Sequence, residues 1–151
     1  MSASSHFKEL LRKFNEHQVR YLIVGAYAVM KYTEPRYTKD LDVWVEATPD
    51  NAKRVFQALS AFGAPMNTVT IEDFANPELV FQIGIEPHRI DIMMQVKGLE
   101  FSKAWSRRRE AEFEDVSMLL VSREDLLISK TAAGRPQDLI DAERLRLSDE
   151  T

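Results

Sequence analysis

Hydrophobic positions along the chain switch between helical and strand spacing. Phe7, Leu10, Leu11 and Phe14 recur at helical spacing, which predicts an amphipathic helix capped by Ser4 or Ser5 and running to about residue 17. Residues 20–24 form a short apolar run that reads as a strand. Gly25 then opens a helix through about Tyr32, and Pro35 closes off any extension. Residues 39–46 alternate with period two, placing Leu41, Val43 and Val45 on one face and Asp40, Asp42 and Trp44 on the other. Thr48-Pro49-Asp50 combines a cap, a proline and an early acid, starting a helix that carries Ala52, Val55, Phe56, Leu59 and Phe62 and stops at Gly63.

The second half continues the alternation. Residues 68–76 read as a strand and a turn, and 79–85 and 89–95 as strands joined by a hairpin around Pro87. Residues 101–111 read as a helix with Ala104 and Trp105 inward, and 116–121 as a strand. Ser122 with Asp125 three residues on starts a helix ending at Gly134, and Pro136 starts a last one to about residue 147. Mixed strands and helices predict an α/β or α+β fold with a mixed sheet. The chain of 151 residues has no repeat or linker and reads as a single domain, with a core at about 20–121 and closing helices at about 122–147.

Composition narrows the function. Hydrophobic residues make up 44% and charged residues 29%, as in a soluble globular protein. The net charge of −4 argues against a broad nucleic-acid-binding surface. The absence of cysteine excludes disulfides, thiolate metal sites and cysteine nucleophiles. No apolar run reaches the length of a membrane span, and the N-terminus lacks a secretory pattern, so a cytoplasmic protein without membrane contact is expected.

Asp40 and Asp42 carry the first chemical signal. Two residues apart on a strand, they project from one face with Cα atoms about 6.5–7 Å apart, a spacing that suits a shared hard cation such as Mg²⁺. Aspartate is disfavoured in strands, so the pair is either functional or a half-exposed surface feature. Asp91 is a single acid in an apolar strand. It either pairs with a base such as Arg89 or joins Asp40 and Asp42 from a neighbouring strand. Three such carboxylates would hold two ions about 4 Å apart, with Asp91 as general base.

Gly25, at the end of a strand and the start of a helix, lets a phosphate approach backbone N–H groups. Thr38 is a phosphate donor or a turn residue; Arg36 is a fork to phosphate or carboxylate, or a solvated side chain. Lys130 and Arg135 are candidates to neutralise a triphosphate, with Asp138 and Asp141 either their partners or an interhelical salt-bridge set. His6, His17 and His88 lack metal-ligand spacing and read as surface residues. Arg107-Arg108-Arg109 reads as a solvated helix end. Trp44 and Trp105 read as core or pocket wall, although Trp44 shares the aspartate face, where a base could stack.

Val24-Gly25-Ala26-Tyr27-Ala28 followed by Pro35-Arg36-Tyr37-Thr38-Lys39-Asp40-Leu41-Asp42 resembles the nucleotidyltransferase-fold superfamily, the polymerase-beta-like catalytic core. Arg89-Ile90-Asp91-Ile92 fits that superfamily's third acid. The stretch 130–141 looks like the lysine and arginine-aspartate motifs of the AbiEii-like branch, which includes toxin components of toxin–antitoxin and phage-defence systems. The resemblance implies a twisted mixed sheet flanked by helices, Mg²⁺ or Mn²⁺ on Asp40, Asp42 and Asp91, and a nucleoside triphosphate substrate near Gly25, Ala26, Arg36, Thr38, Lys130 and Arg135. It leaves the acceptor open among protein, RNA and small molecule. Ala26 stands where the family usually has glycine or serine; its N–H is kept, but no hydroxyl is offered to a phosphate. Larger members carry an extra helical domain, so a partner protein or a second copy of the chain would complete the cleft here. Two rivals accompany nucleotidyl transfer: a catalytically weak, antitoxin-like partner-binding subunit, and a metal-dependent nuclease.

Overall fold

The computed structural model describes residues 3–85 and 87–148. Its strands are β1 (Tyr21–Val24), β2 (Asp40–Val45), β3 (Val80–Ile85), β4 (His88–Met93), β5 (Arg109–Phe113) and β6 (Val116–Leu120). Its helices are α1 (Ala3–Glu16), α2 (Gly25–Tyr32), α3 (Pro49–Phe62), α4 (Phe101–Ser106), α5 (Arg123–Ala133) and α6 (Pro136–Leu147). The strands form one mixed sheet in the order β3-β4-β2-β1-β6-β5. β1 pairs antiparallel with β2 and parallel with β6, and β2 pairs parallel with β4.

Central β1 has no polar face because both sides of the sheet are covered. Tyr21 and Ile23 point into a core with Phe7, Leu10, Leu11 and Phe14 of α1 and Val55 and Leu59 of α3. Leu22 and Val24 point into the opposite core with Ala28, Val29, Trp44, Leu126 and Leu145. β2 splits the same way: Leu41, Val43 and Val45 face α1 and α3, while Trp44 faces the other layer. The α/β architecture with helices on both faces agrees with the expected nucleotidyltransferase-like fold.

Local chemistry sets the element ends. Thr48 Oγ1 accepts from the Asn51 N–H at 3.4 Å, and Gly63 ends α3 at φ +97°. Buried Asn51 also binds the ends of β1 and β2: its side chain accepts from Arg20 N and donates to Arg20 O and Glu46 O at 2.8–3.0 Å. Ser122 Oγ accepts from Asp125 N, capping α5, and Gly134 ends that helix at φ +68°.

Three expectations change. The helix α1 already starts at Ala3, so Ser4 and Ser5 lie within it rather than capping it. The segment expected as strand and turn contains a 3-10 helix, Ile71–Ala75, whose entry is fixed by Thr70 N–H donating to Asp73 Oδ2. The helix expected over 101–111 ends at Ser106, and residues 109–113 form β5. There Ala111 and Phe113 pack on the core while Glu110 and Glu112 are exposed, a period-two pattern overridden in the sequence reading by the preceding helix signal. No helix among the described residues is long and apolar enough to cross a membrane.

Candidate active site

The site forms where β1 ends and α2 begins. Gly25 takes φ +71°, in the left-handed region where glycine is free of steric cost. Its α-carbon faces the Asp42 carboxylate so closely that a Cβ there would overlap Asp42 Oδ2 and stand 2.9 Å from Cγ. The register of β1 with β2 sets this approach, since Val24 is the partner of Asp42. No side chain caps the first turn of α2, and Gly25 and Ala26 of that turn line a cleft.

The next strand brings in the third acid. Asp42 is paired in register with Asp91 across β2 and β4, and Asp40 with Arg89. Asp91 is buried, and Asp40 and Asp42 are partly buried. Arg89 bridges two of the carboxylates: Nε and Nη2 donate to Asp91 at 2.8 and 3.1 Å, and Nη2 lies 3.5 Å from Asp40 Oδ2. Burial pushes the Asp42 carboxyl up to about 6, with Asp91 and Asp40 adding to it and Lys130 and Arg89 opposing. Arg89 itself is raised by its hydrogen bond to Asp91.

These residues suit a divalent cation. The donors are all carboxylate oxygens, the set preferred by Mg²⁺ and Mn²⁺. Their crowded negative charge is balanced only by cationic side chains, and the α-carbon of Gly25 leaves the Asp42 oxygen room that a larger residue would fill. As the side chains stand, no three acidic or imidazole groups among the described residues converge to hold an ion. At Asp40 and Asp91 the carboxylates are bridged by Arg89.

The opposite wall comes from α5 and α6. Asp138 and Asp141 are buried, one helical turn apart, and gather three cations. Lys130 Nζ lies 3.3 Å from Asp138 Oδ1 and 3.2 Å from Asp141 Oδ2. Arg36 forks onto Asp141 at 2.5 and 3.1 Å, and Arg135 Nε donates to Asp138 at 2.6 Å. Burial raises both carboxyls, but at Asp138 the Arg135 and Lys130 contacts outweigh it and leave the pKa low. At Asp141, hydrogen bonds from Arg36, Gln137 and Lys130 do the same.

A cleft of about 700 Å³ joins the two walls and is lined by Gly25, Ala26, Arg36, Thr38, Asp40, Asp42, Asp91, Lys130 and Arg135. All nine were singled out from the sequence. Arg36 is a carboxylate fork rather than a solvated side chain. Thr38 Oγ1 accepts from Asp40 N at 3.4 Å, so it is at once a turn residue and a cleft residue. Arg89 and Gln137 were not assigned a place in the cleft; the shared period-two face of Arg89, Asp91 and Met93 was the signal for Arg89.

The tryptophans, the histidines and the run 107–109 do not line this cleft. Trp44 is core, as expected: it is 2% exposed and packed on Phe101 at 5.0 Å between ring centroids, which leaves no face for a base to stack on. The histidines are half-buried instead of free on the surface: His6 packs on Phe62, His88 between Phe7 and Tyr37, and His17 Nδ1 lies 2.9 Å from Lys13 O. Arg107, Arg108 and Arg109 are exposed at the end of α4, as expected, and are anchored as well as solvated. Arg107 forks onto buried Asp125 at 2.9 and 3.0 Å, and Arg108 lies over Trp105.

The family described as "Nucleotidyltransferase of unknown function (DUF6036)" matches residues 3–151. The chain belongs to this family. Its fold is shared by a solved structure of the lincosamide antibiotic adenylyltransferase LnuA bound to lincomycin, with a TM-score of 0.60 and 17% identity over 95% of this chain and 96% of that one. At that identity the likeness is one of fold. No curated protein matches the chain. The nucleotidyltransferase family therefore supplies the general reaction class, and the cleft bounded by Gly25, Asp42, Asp91 and Lys130 is its candidate site.

Proposed function

We propose that this nucleotidyltransferase moves a nucleoside monophosphate from a nucleoside triphosphate to an acceptor hydroxyl, with pyrophosphate leaving. The observation that carries this reading is the placement of Asp42 against Gly25 on one side and in register with Asp91 on the other. Asp40, Asp42 and Asp91 would hold Mg²⁺ or Mn²⁺, which when bound neutralises phosphate charge and favours loss of the acceptor's proton. The chain's own groups supply the rest. The Ala26 N–H and the uncapped first turn of α2 receive phosphate oxygens, and the Thr38 hydroxyl adds a donor. Asp91 takes the acceptor hydroxyl proton as the new O–P bond forms and the bond to pyrophosphate breaks. Lys130 and Arg135, held by Asp138 and Asp141, place positive charge on the facing wall.

The end-to-end fold likeness to a lincosamide adenylyltransferase supports ATP as donor and a small-molecule hydroxyl as acceptor, ahead of protein or RNA. The stretch 130–141 supports an AbiEii-like affiliation and a toxin–antitoxin or defence setting. The whole chain acts in this reading as one domain in the cytoplasm. Calorimetry with ATP, CTP, GTP and UTP in Mg²⁺ tests it: metal-dependent binding is expected in the wild type and lost in Asp40→Asn/Asp42→Asn. No binding in the wild type, or binding kept by the double variant, rejects it.

One observation favours a second reading, an antitoxin-like subunit with weak catalysis. Arg36, Lys130 and Arg135 are already engaged by Asp138 and Asp141, and Ala26 offers no hydroxyl. This reading predicts weak or no triphosphate binding, together with a stable complex with a protein partner.

A further inference from the structure

Arg89 is the cation closest in hand to the acidic cluster, and its geometry is unusual for a simple surface ion pair. It forks onto Asp91 through Nε and Nη2 and reaches Asp40 on the adjoining strand with the same Nη2. Its backbone is pinned, because Arg89 N–H donates to Lys39 O at 3.0 Å and the residue is paired in register with Asp40. Its side chain is 45% exposed, so the guanidinium has solvent into which it can swing while the strand stays still.

We propose that Arg89 is a resident counter-ion of the carboxylate cluster, displaced by the divalent cation and released toward the phosphates at the cleft mouth. This rests on the metal-dependent reading above. The guanidinium occupies both oxygens of Asp91 and one of Asp40, keeping like charges on adjacent strands together. A magnesium-sized ion needs carboxylate oxygens at about 2.0–2.1 Å in near-octahedral array. Two cations sharing the same two carboxylates repel, so the fork on Asp91 opens as the ion enters. The guanidinium then sits on a pinned strand beside the acids, within the same cleft as Lys130, where it can pair with phosphate oxygens. Arg89 is thus a positioning residue: it offsets the charge of the ligands until the ion arrives and couples ion entry to the appearance of a free phosphate-binding group.

Mn²⁺ binding, followed by electron paramagnetic resonance on the full chain without nucleotide, tests the proposal. Arg89→Met keeps much of the stem and removes the charge; it is expected to bind Mn²⁺ roughly three- to tenfold tighter than wild type. Arg89→Lys keeps the charge but loses the fork and is expected to fall between the two. Equal or weaker binding in Arg89→Met, with binding still abolished by Asp42→Asn, overturns the role of Arg89 and leaves the metal site intact. Absence of Mn²⁺ binding in both wild type and Arg89→Met overturns the metal-dependent reading and this proposal with it. A measurement on the wild type alone guards against a variant that does not fold. The Arg89 Nε–H resonance is expected to shift and exchange faster with solvent on adding Mg²⁺, and an unmoved resonance at saturation overturns the proposal.

Discussion

The Asp42 carboxylate rests against the α-carbon of Gly25, two residues joined by the pairing of β1 with β2 and by nothing covalent between them. Gly25→Ala meets two obstacles, a left-handed φ and a collision with Asp42. Urea denaturation should show a loss of about 2–3 kcal/mol. Gly63→Ala is the control: φ is also positive, but no atom lies within 4 Å of the added Cβ, so the loss should be about 1 kcal/mol. Adding Asp42→Ala to Gly25→Ala should restore part of the difference, because it removes the colliding group. Equal losses at the two glycines would show that the close approach has no energetic weight.

Asp42 should make the metal-free protein less stable as pH rises. Its carboxyl is raised from the usual 3.8 to about 6, so between those values the folded chain holds a proton that the unfolded chain has lost. That contribution favours folding below about pH 4 and disappears as pH climbs through 6. Asp42→Asn should therefore gain on the order of 1–2 kcal/mol over wild type at pH 7.5. The gain should shrink towards pH 4. Melting curves in chelator at pH 4.5 and 7.5 read this directly, and a pH-independent difference would contradict it.

Asp141 should behave with the opposite sign. Its carboxyl is fully buried and takes hydrogen bonds from Arg36 and Gln137 and an ion pair from Lys130. Those partners hold its pKa below 3.8, so its stabilisation is present above that value and lost on further acidification. Asp141→Asn keeps the shape but takes the carboxylate from Arg36 and leaves Lys130 with Asp138 in place of two acids. A loss of about 2–3 kcal/mol at pH 7 is expected from chemical denaturation, narrowing below pH 4.

The half of the fold that carries the cleft was legible because several local rules agreed there. The strand 21–24, the glycine turn, the helix ended before Pro35 and the D-x-D strand each carry their own signal, and the pairing of β1 with β2 satisfies all of them. Spacing could not say whether Asp91 meets Asp42, because this depends on β4 lying beside β2 and not at an edge. Asn51 was read only as part of α3, although its amide ties the ends of two strands, since nothing local distinguishes a helix asparagine facing the sheet. The boundary between α4 and β5 was lost to the arginines. Three consecutive exposed cations read as solvated, and nothing local shows that Arg107 also reaches buried Asp125, eighteen residues on.

The tie between Arg107 and Asp125 makes a prediction about the sheet edge. Arg107 follows α4 and precedes β5, and its fork holds that junction to the first turn of α5. Among the described residues β5 is an edge strand paired with β6 alone, from Arg109 opposite Leu120 to Phe113 opposite Val116. An edge strand depends on its anchors to stay in register. In Asp125→Asn the amide presents an NH₂ to the guanidinium in place of one carboxylate oxygen, which weakens the fork while leaving the Ser122 cap to the Asp125 backbone N–H in place. Native-state hydrogen exchange should then show β5 amides exchanging about tenfold faster, with β1 and β2 amides much less affected. Uniform acceleration through the sheet would mean that the tie stabilises the fold as a whole, and unchanged exchange that the junction is held by other contacts.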